Sequence, residues 1–137
     1  MATDVRISIA SANDIVAARQ QGRLVATEIG FNGSDLTVIA TALSEVARNI
    51  LEYAGRGQII IGHARGRDGR RGVRIVAEDE GPGIANVALV MQDGYSTGKG
   101  LGLGLPGAKR LMDEFEIDSE RGRGTRVTMT KWVAHDE

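Results

Sequence analysis

An α+β domain, a two-layer sandwich with helices on one face of a mainly antiparallel mixed sheet, is the fold class predicted by three observations on this chain. Stretches of period-2 apolar alternation lie near its beginning, its middle and its end. Two longer stretches between the first and second of these carry apolar residues at i, i+3, i+4 and i+7. Their order, β-α-α-β-β-loop-α-β-β, is one in which helices collect on a single side of a sheet made largely of hairpins. At 137 residues, 42% hydrophobic and 26% charged, the chain has the make-up of one globular domain spanning 1–137.

Residues 4–10 (DVRISIA) place Val5, Ile7 and Ile9 on one face, as a half-buried strand does. Asn13 or Asp14 is the candidate N-cap of a helix in which Ile15, Ala18, Leu24 or Val25 and Ile29 share a side, and Gly30 and Gly33 end it. Ser34 or Asp35 caps a second helix. Its apolar stripe is Leu36, Ile39, Ala40, Leu43, Ala47, Ile50, Leu51 and Ala54, with Glu45, Asn49 and Glu52 on the opposite side. Gly55 and Gly57 stop this helix. Residues 58–64 (QIIIGHA) and 72–79 (GVRIVAED) flank the arginine-rich turn RGRDGRR and predict an antiparallel hairpin. A glycine-dense stretch runs from Gly81 to Gly107, and its middle, about 85 to 99, is long for a structureless connection, a length that usually accompanies function. Pro106 suits the first turn of a helix reaching about Phe115, and residues 116–120 and 125–133 predict a closing hairpin around Arg121 to Gly124.

Composition narrows the function. Seventeen Lys and Arg against eighteen Asp and Glu give a net charge of −1, which is not the balance of a general nucleic-acid binder. No apolar run approaches the roughly 18 residues of a membrane span. The first residues lack the charged and then apolar pattern of a secretory signal, so a cytoplasmic location is expected. With no cysteine, and with His63 and His135 lacking companions at ligand spacing, neither disulfides nor a transition-metal site are expected. Glycine is the outlier, 19 of 137 residues against a usual share of roughly 7%.

Four constellations can carry chemistry. Glu45 and Asn49 are i, i+4 neighbours that project together. A Mg²⁺ ion carrying phosphates takes one or two protein oxygens, which Asn49 can supply, and Glu45 can accept a proton from an attacking hydroxyl or water; the alternative is a solvated helix face. In Asp79-Glu80-Gly81-Pro82-Gly83, a carboxylate at a strand end can accept hydrogen bonds from an exocyclic amine such as that of adenine, with Gly81 and Gly83 letting backbone approach a flat base; the alternative is a plain turn. From Gly98 to Gly107, glycines alternate ahead of a helix N-terminus, where N–H groups and the helix dipole favour phosphate; the alternative is a flexible linker. Gly122-x-Gly124-Thr125 is a hairpin corner whose Thr125 can add a hydroxyl to a base site beside Asp79. Arg65, Arg67, Arg70, Arg71 and Arg74 read as a solvated hairpin.

Other nucleotide motifs fail. Gly102-x-Gly104-x-x-Gly107 should directly follow a strand and instead follows a loop-like stretch. A P-loop is one residue short from Gly94, with Gly100 where Ser or Thr should bind the metal. No HRD-like or DFG-like segment occurs.

Taken in order, Glu45-x-x-x-Asn49, Asp79-x-Gly81-x-Gly83, Gly100-x-Gly102-x-Gly104 and Gly124-Thr125 resemble the Bergerat (GHKL) ATP-binding fold of gyrases, heat-shock chaperones, histidine kinases and mismatch-repair ATPases. The strings DIVAARQ, SEVARNI, YAGRGQI, EDEGPGI and LPGAKRLMDEF resemble its small stand-alone branch, the bacterial anti-sigma-factor serine/threonine kinases, and among these the stressosome switch kinases. Val46 and Ala47 do not match the polar positions of the histidine-kinase version of the helix motif, in keeping with the serine-kinase branch.

The resemblance implies ATP and Mg²⁺ as cofactors, with Glu45 as the general base that deprotonates a serine or threonine hydroxyl and Asn49 as the Mg²⁺ ligand. Asp79 is implied to recognise the adenine amino group, assisted by Thr125, with Gly81 and Gly83 shaping the base pocket. Gly100, Gly102 and Gly104 are implied as hinges of an ATP lid, formed by about 85 to 99, that present backbone to the phosphates. Lys99, apart from the resemblance, is either a lid ammonium that neutralises the γ-phosphate or a solvent-facing side chain. The implied substrates are STAS-domain antagonist proteins of the stressosome, and the implied second partner is a PP2C-type phosphatase, activated once the kinase is released; neither nucleic acid nor membrane is expected as a partner. Two other functions stay open: an anti-sigma factor that sequesters a sigma factor while phosphorylating its antagonist, and an ATP-regulated binding module in which nucleotide merely orders the lid.

Overall fold

The computed structural model describes residues 4–83, 91 and 104–134. The first strand, β1 (Val5–Ile9), buries Ile9 fully while Val5 and Ile7 pack against the core. The first helix, α1 (Ala12–Ile29), is capped by Ser11 rather than by Asn13 or Asp14. Asp14 stands at the third helical position and accepts the backbone N–H of Ser11 at 3.1 Å and of Ala10 at 2.8 Å, so it is the carboxylate half of a capping box. Of the two candidates for its buried face, Val25 enters the core and Leu24 is 60% exposed.

The second helix, α2 (Ser34–Tyr53), takes its N-cap from Gly33 (φ +59), one residue before the expected Ser34 or Asp35, and no side chain caps it. Asp35 falls instead in the first turn, where its charge suits the helix dipole. At Gly22 of α1 a Cβ would run into the side chain of Leu43, so the absence of one lets α1 close on α2.

The remaining elements are β2 (Gly57–Arg65), β3 (Arg71–Asp79), α3 (Gly104–Leu111), β4 (Glu114–Glu120) and β5 (Gly124–Trp132). The five strands lie in the order β1-β2-β3-β5-β4, and all four pairings are antiparallel, so the sheet is antiparallel rather than mixed among the described residues. Ile59, Ile61, Val73, Ile75, Val127 and Met129 form its buried side against Ala18, Val25, Ile39, Leu43, Val46 and Ile50 of the helices.

The last helix ends at Leu111, short of the expected Phe115, because Phe115 and Ile117 alternate with the exposed Glu114, Glu116 and Asp118 and so belong to a strand. Asp113 makes the transition: its N–H donates to the Thr130 carbonyl at 3.0 Å, and its carboxylate accepts the Trp132 N–H at 2.7 Å. Among the described residues no helix is long and apolar enough to cross a membrane.

Candidate functional site

Two parts of the fold bring the expected site residues together, one on α2 and one at the ends of β3, β4 and β5. Because α2 is packed between α1 and α3, its polar side is not a solvated face. Glu45 is buried there at 5% exposure. Its Oε2 accepts Arg48 Nη1 at 2.9 Å, and its Oε1 accepts the backbone N–H of Gly104 at 3.0 Å. Gly104 begins α3 with φ +56, so the anion that meets this helix N-terminus is the protein's own carboxylate. Asn49, one turn beyond Glu45, is half-buried, and its amide has no hydrogen-bond partner among the described residues.

At the other part, strand register sets Asp79 opposite Thr125 and Thr125 opposite Ser119, three residues in a row on the helix-facing side of the sheet. Asp79 Oδ1 accepts the Gly81 N–H at 2.9 Å, which folds the chain back toward α2. The Thr125 hydroxyl is buried and lies 2.8 Å from the Ser119 hydroxyl, which donates to the Gly124 carbonyl at 3.0 Å.

The glycines around this row are filled against by the chain itself. A Cβ at Gly81 would stand 2.5 Å from that of Ala54 at the end of α2, one at Gly83 (φ +77) would strike the Glu120 carbonyl, and one at Gly124 (φ +92) would strike the Asp79 carbonyl. Gly122 N–H donates to the Pro82 carbonyl at 2.6 Å, pinning the two turns together. At Gly81 and Gly83 the space a side chain would take is thus filled by the protein's own atoms, and the two glycines bear on the surroundings of Asp79 through packing. An open cleft of about 1010 Å³ lies at this end of the sheet; Asp79, Gly81 and Thr125 border it, but Ser8, Gln58, Glu78, Asp118 and Arg126, on the sheet face away from the helices, make up much of its wall.

Along α2 the two parts are in line. Ala54 touches the Asp79 segment, Asn49 lies about 7.5 Å nearer the helix start and Glu45 about 13.5 Å nearer, at 1.5 Å per residue. No group of three or more His, Asp or Glu that could hold a metal occurs among the described residues. Mg²⁺ that is bound chiefly by phosphates and water asks for less than such a cage, and the amide oxygen of Asn49, without a partner among the described residues, is a donor of the right hardness beside a carboxylate. Lys99, Gly100 and Gly102, with the expected lid from about 85 to 99 apart from Met91, lie outside the described residues.

A family model described as the histidine kinase-like ATPase domain matches residues 9–131. The chain belongs to that family. Serine/threonine-protein kinase RsbT of Bacillus subtilis is 57% identical over 120 residues, 88% of this chain and 90% of that protein. The chain is, with it, a protein serine/threonine kinase. The anti-sigma F factor of Caldanaerobacter subterraneus is 32% identical over 105 residues, 74% of this chain and 73% of that one. Among solved structures, full-length ShkA in complex with AMPPNP shares the fold, with a TM-score of 0.58 and 21% identity over 90% of this chain, which spans 30% of that longer protein.

Two neighbours of the expected residues in this kinase escaped sequence reasoning. Ser119 was discoverable from the alternation Phe115, Ile117, Ser119, which puts it on the buried side of β4. Arg48 carried one signal, its i, i+3 spacing from Glu45.

Proposed function

We propose that this kinase works as a single domain that transfers the γ-phosphoryl group of Mg-ATP to a serine or threonine of STAS-domain antagonist proteins of a bacterial stressosome. Released from them, it binds and activates a PP2C-type phosphatase. The observation that carries this reading is the 57% identity to the Bacillus subtilis serine/threonine-protein kinase across almost the whole chain. The acceptor hydroxyl gives its proton to Glu45 as its oxygen bonds to the γ-phosphorus, the bond from that phosphorus to the β,γ-bridging oxygen breaks, and ADP leaves. Asp79 Oδ2, which has no partner among the described residues, accepts from the adenine amino group, and Thr125 assists from the next strand. Asn49 holds Mg²⁺, which neutralises phosphate charge when bound. The same reading gives Gly100, Gly102 and Gly104 the role of lid hinges and Lys99 that of neutralising γ-phosphate charge. ATP, antagonist and phosphatase meet in the cytoplasm.

Mass spectrometry of a purified STAS-domain protein after incubation with this kinase and Mg-ATP tests the proposal. A gain of one phosphoryl group on a serine or threonine is expected, lost with Glu45→Ala while ATP binding persists. Full transfer by Glu45→Ala would overturn the base assignment, and no transfer by the wild type would overturn the substrate class. The identity to anti-sigma F factors supports a second reading, sequestration of a sigma factor. Pull-down from cell extract separates the two: a sigma factor on the resin, in place of STAS proteins or a phosphatase, would replace the first reading by the second.

A further inference from the structure

Arg48 lies three residues after Glu45 on α2, and its guanidinium meets Glu45 Oε2 at 2.9 Å while Gly104 N–H meets Oε1 at 3.0 Å. The carboxylate is thus held by both oxygens, once from its own helix and once from the start of the next. It is 5% exposed and Arg48 is 30% exposed. Burying such a pair brings no stability over an apolar pair of similar volume; what it supplies is geometry. Two directed, charge-assisted hydrogen bonds fix both the rotamer and the plane of a carboxylate, and each oxygen keeps a further lone pair. A base so held presents that lone pair in one direction, which is what abstraction of a proton from a positioned hydroxyl requires. Asn49 follows Arg48 immediately and so projects elsewhere around the helix, and among the described residues the guanidinium pairs with the Glu45 carboxylate.

We propose that Arg48 is a positioning residue for Glu45: its guanidinium holds the carboxylate plane so that the remaining lone pair meets the acceptor hydroxyl. This rests on Glu45 being the general base. Arg48 acts through Glu45 and on nothing else, so its loss lowers the rate of transfer without changing the affinity for nucleotide.

The experiment measures ADP formation from Mg-ATP, with and without a purified STAS-domain acceptor. The proteins are the wild type, Arg48→Met, Arg48→Gln, Arg48→Lys, Glu45→Gln and the Glu45→Gln/Arg48→Met double variant. Titration with a fluorescent ATP analogue and thermal melting are run on each. Arg48→Met is expected to lower kcat by about 10–100-fold, the loss that misplacing a catalytic group produces, with KM for ATP and analogue affinity within about twofold of wild type. Arg48→Lys recovers part of the rate, and the double variant is no slower than Glu45→Gln alone, because a residue that acts through another adds nothing once that one is gone. Should Arg48→Met not fold, Arg48→Gln, which keeps polarity without the charge, is read the same way.

Wild-type kcat in Arg48→Met or Arg48→Gln, beside an inactive Glu45→Gln, overturns the positioning role and leaves the base in place. A loss confined to nucleotide affinity and melting temperature makes Arg48 merely structural. A double variant slower than Glu45→Gln shows Arg48 acting on its own. Wild-type turnover by Glu45→Gln removes the base assignment itself, and the role of Arg48 with it.

Discussion

At the end of the sheet where β2 turns into β3, Gly66 and Gly69 lie among Arg65, Arg67, Arg70 and Arg71; at the opposite end, Gly81, Gly83 and Gly124 surround Asp79. Both ends combine glycine with charge. Around Gly69 (φ +84) nothing lies within 4 Å of where a Cβ would stand, and Arg65, Arg67 and Arg71 are exposed. Arg70 pairs with Asp68 at 3.3 Å and lies over the Trp132 ring at 5.3 Å. Around Gly83 and Gly124, by contrast, the backbone carbonyls of Glu120 and Asp79 occupy the position a Cβ would need. At the first end, Gly69 serves only the dihedral of its own turn. At the second, the missing side chain is what lets three segments lie against one another and hold a carboxylate between them.

The largest test of that contrast is Gly83→Ala. Positive φ and a collision with backbone together should cost on the order of 2–5 kcal/mol, seen as a melting midpoint lower by about 10 °C. A midpoint near wild type would mean that the two turns are not tightly packed. Next comes Asp79→Asn, which removes a charged acceptor and should weaken binding of a fluorescent ATP analogue by about 10–100-fold, the worth of one hydrogen bond to a charged group. Unchanged affinity would take the adenine-binding role away from this end of the sheet. Asn49→Ala should remove roughly tenfold from affinity measured with Mg²⁺ and little from that measured in its absence, so equal losses in both titrations would count against a metal ligand. The smallest effect is expected at the other end: Gly69→Ala should cost only about 1 kcal/mol in a melting experiment, from backbone strain alone, and leave nucleotide affinity as it was.

Where apolar periodicity carried the information, the sequence could be read closely. Val5, Ile7 and Ile9 marked a strand, and the Leu36 to Ile50 stripe marked a helix, because burial on one side is imposed locally by pleat or turn. Helix starts were displaced by one to three residues. Ser11, Asn13, Asp14, Ser34 and Asp35 are all acceptable caps by residue type, and the choice falls to backbone conformation, as the extended Ser11 and the left-handed Gly33 show. The end of α3 was misplaced because Phe115 fits a helical stripe as well as a strand, and pairing with Met129 decides for the strand.

At the site, the i, i+4 spacing of Glu45 and Asn49 and the pairing of Asp79 with Thr125 were legible as a shared face and a neighbouring hairpin. The burial of Glu45 was not, since it depends on α3, which enters from 59 residues further along the chain. Gly81 and Gly83 were legible as glycines that something approaches closely. That the approaching atoms belong to Ala54 and Glu120 could be known only once the strands were in register.

One feature of the topology bears on how the molecule is made. β5, the last strand, is an interior strand, and β4 joins the sheet only through it. Residues 4 to 79 can form a three-stranded meander with two helices while the chain is still emerging from the ribosome, since their strand pairings run between sequence neighbours or across the two helices. The row from Asp79 through Thr125 to Ser119 has no counterpart in that fragment: it needs β5 to dock against β3, a closure over 46 residues between Asp79 and Thr125. A nascent chain that ends before Thr125 therefore holds Asp79 without the two hydroxyls that flank it in the finished sheet.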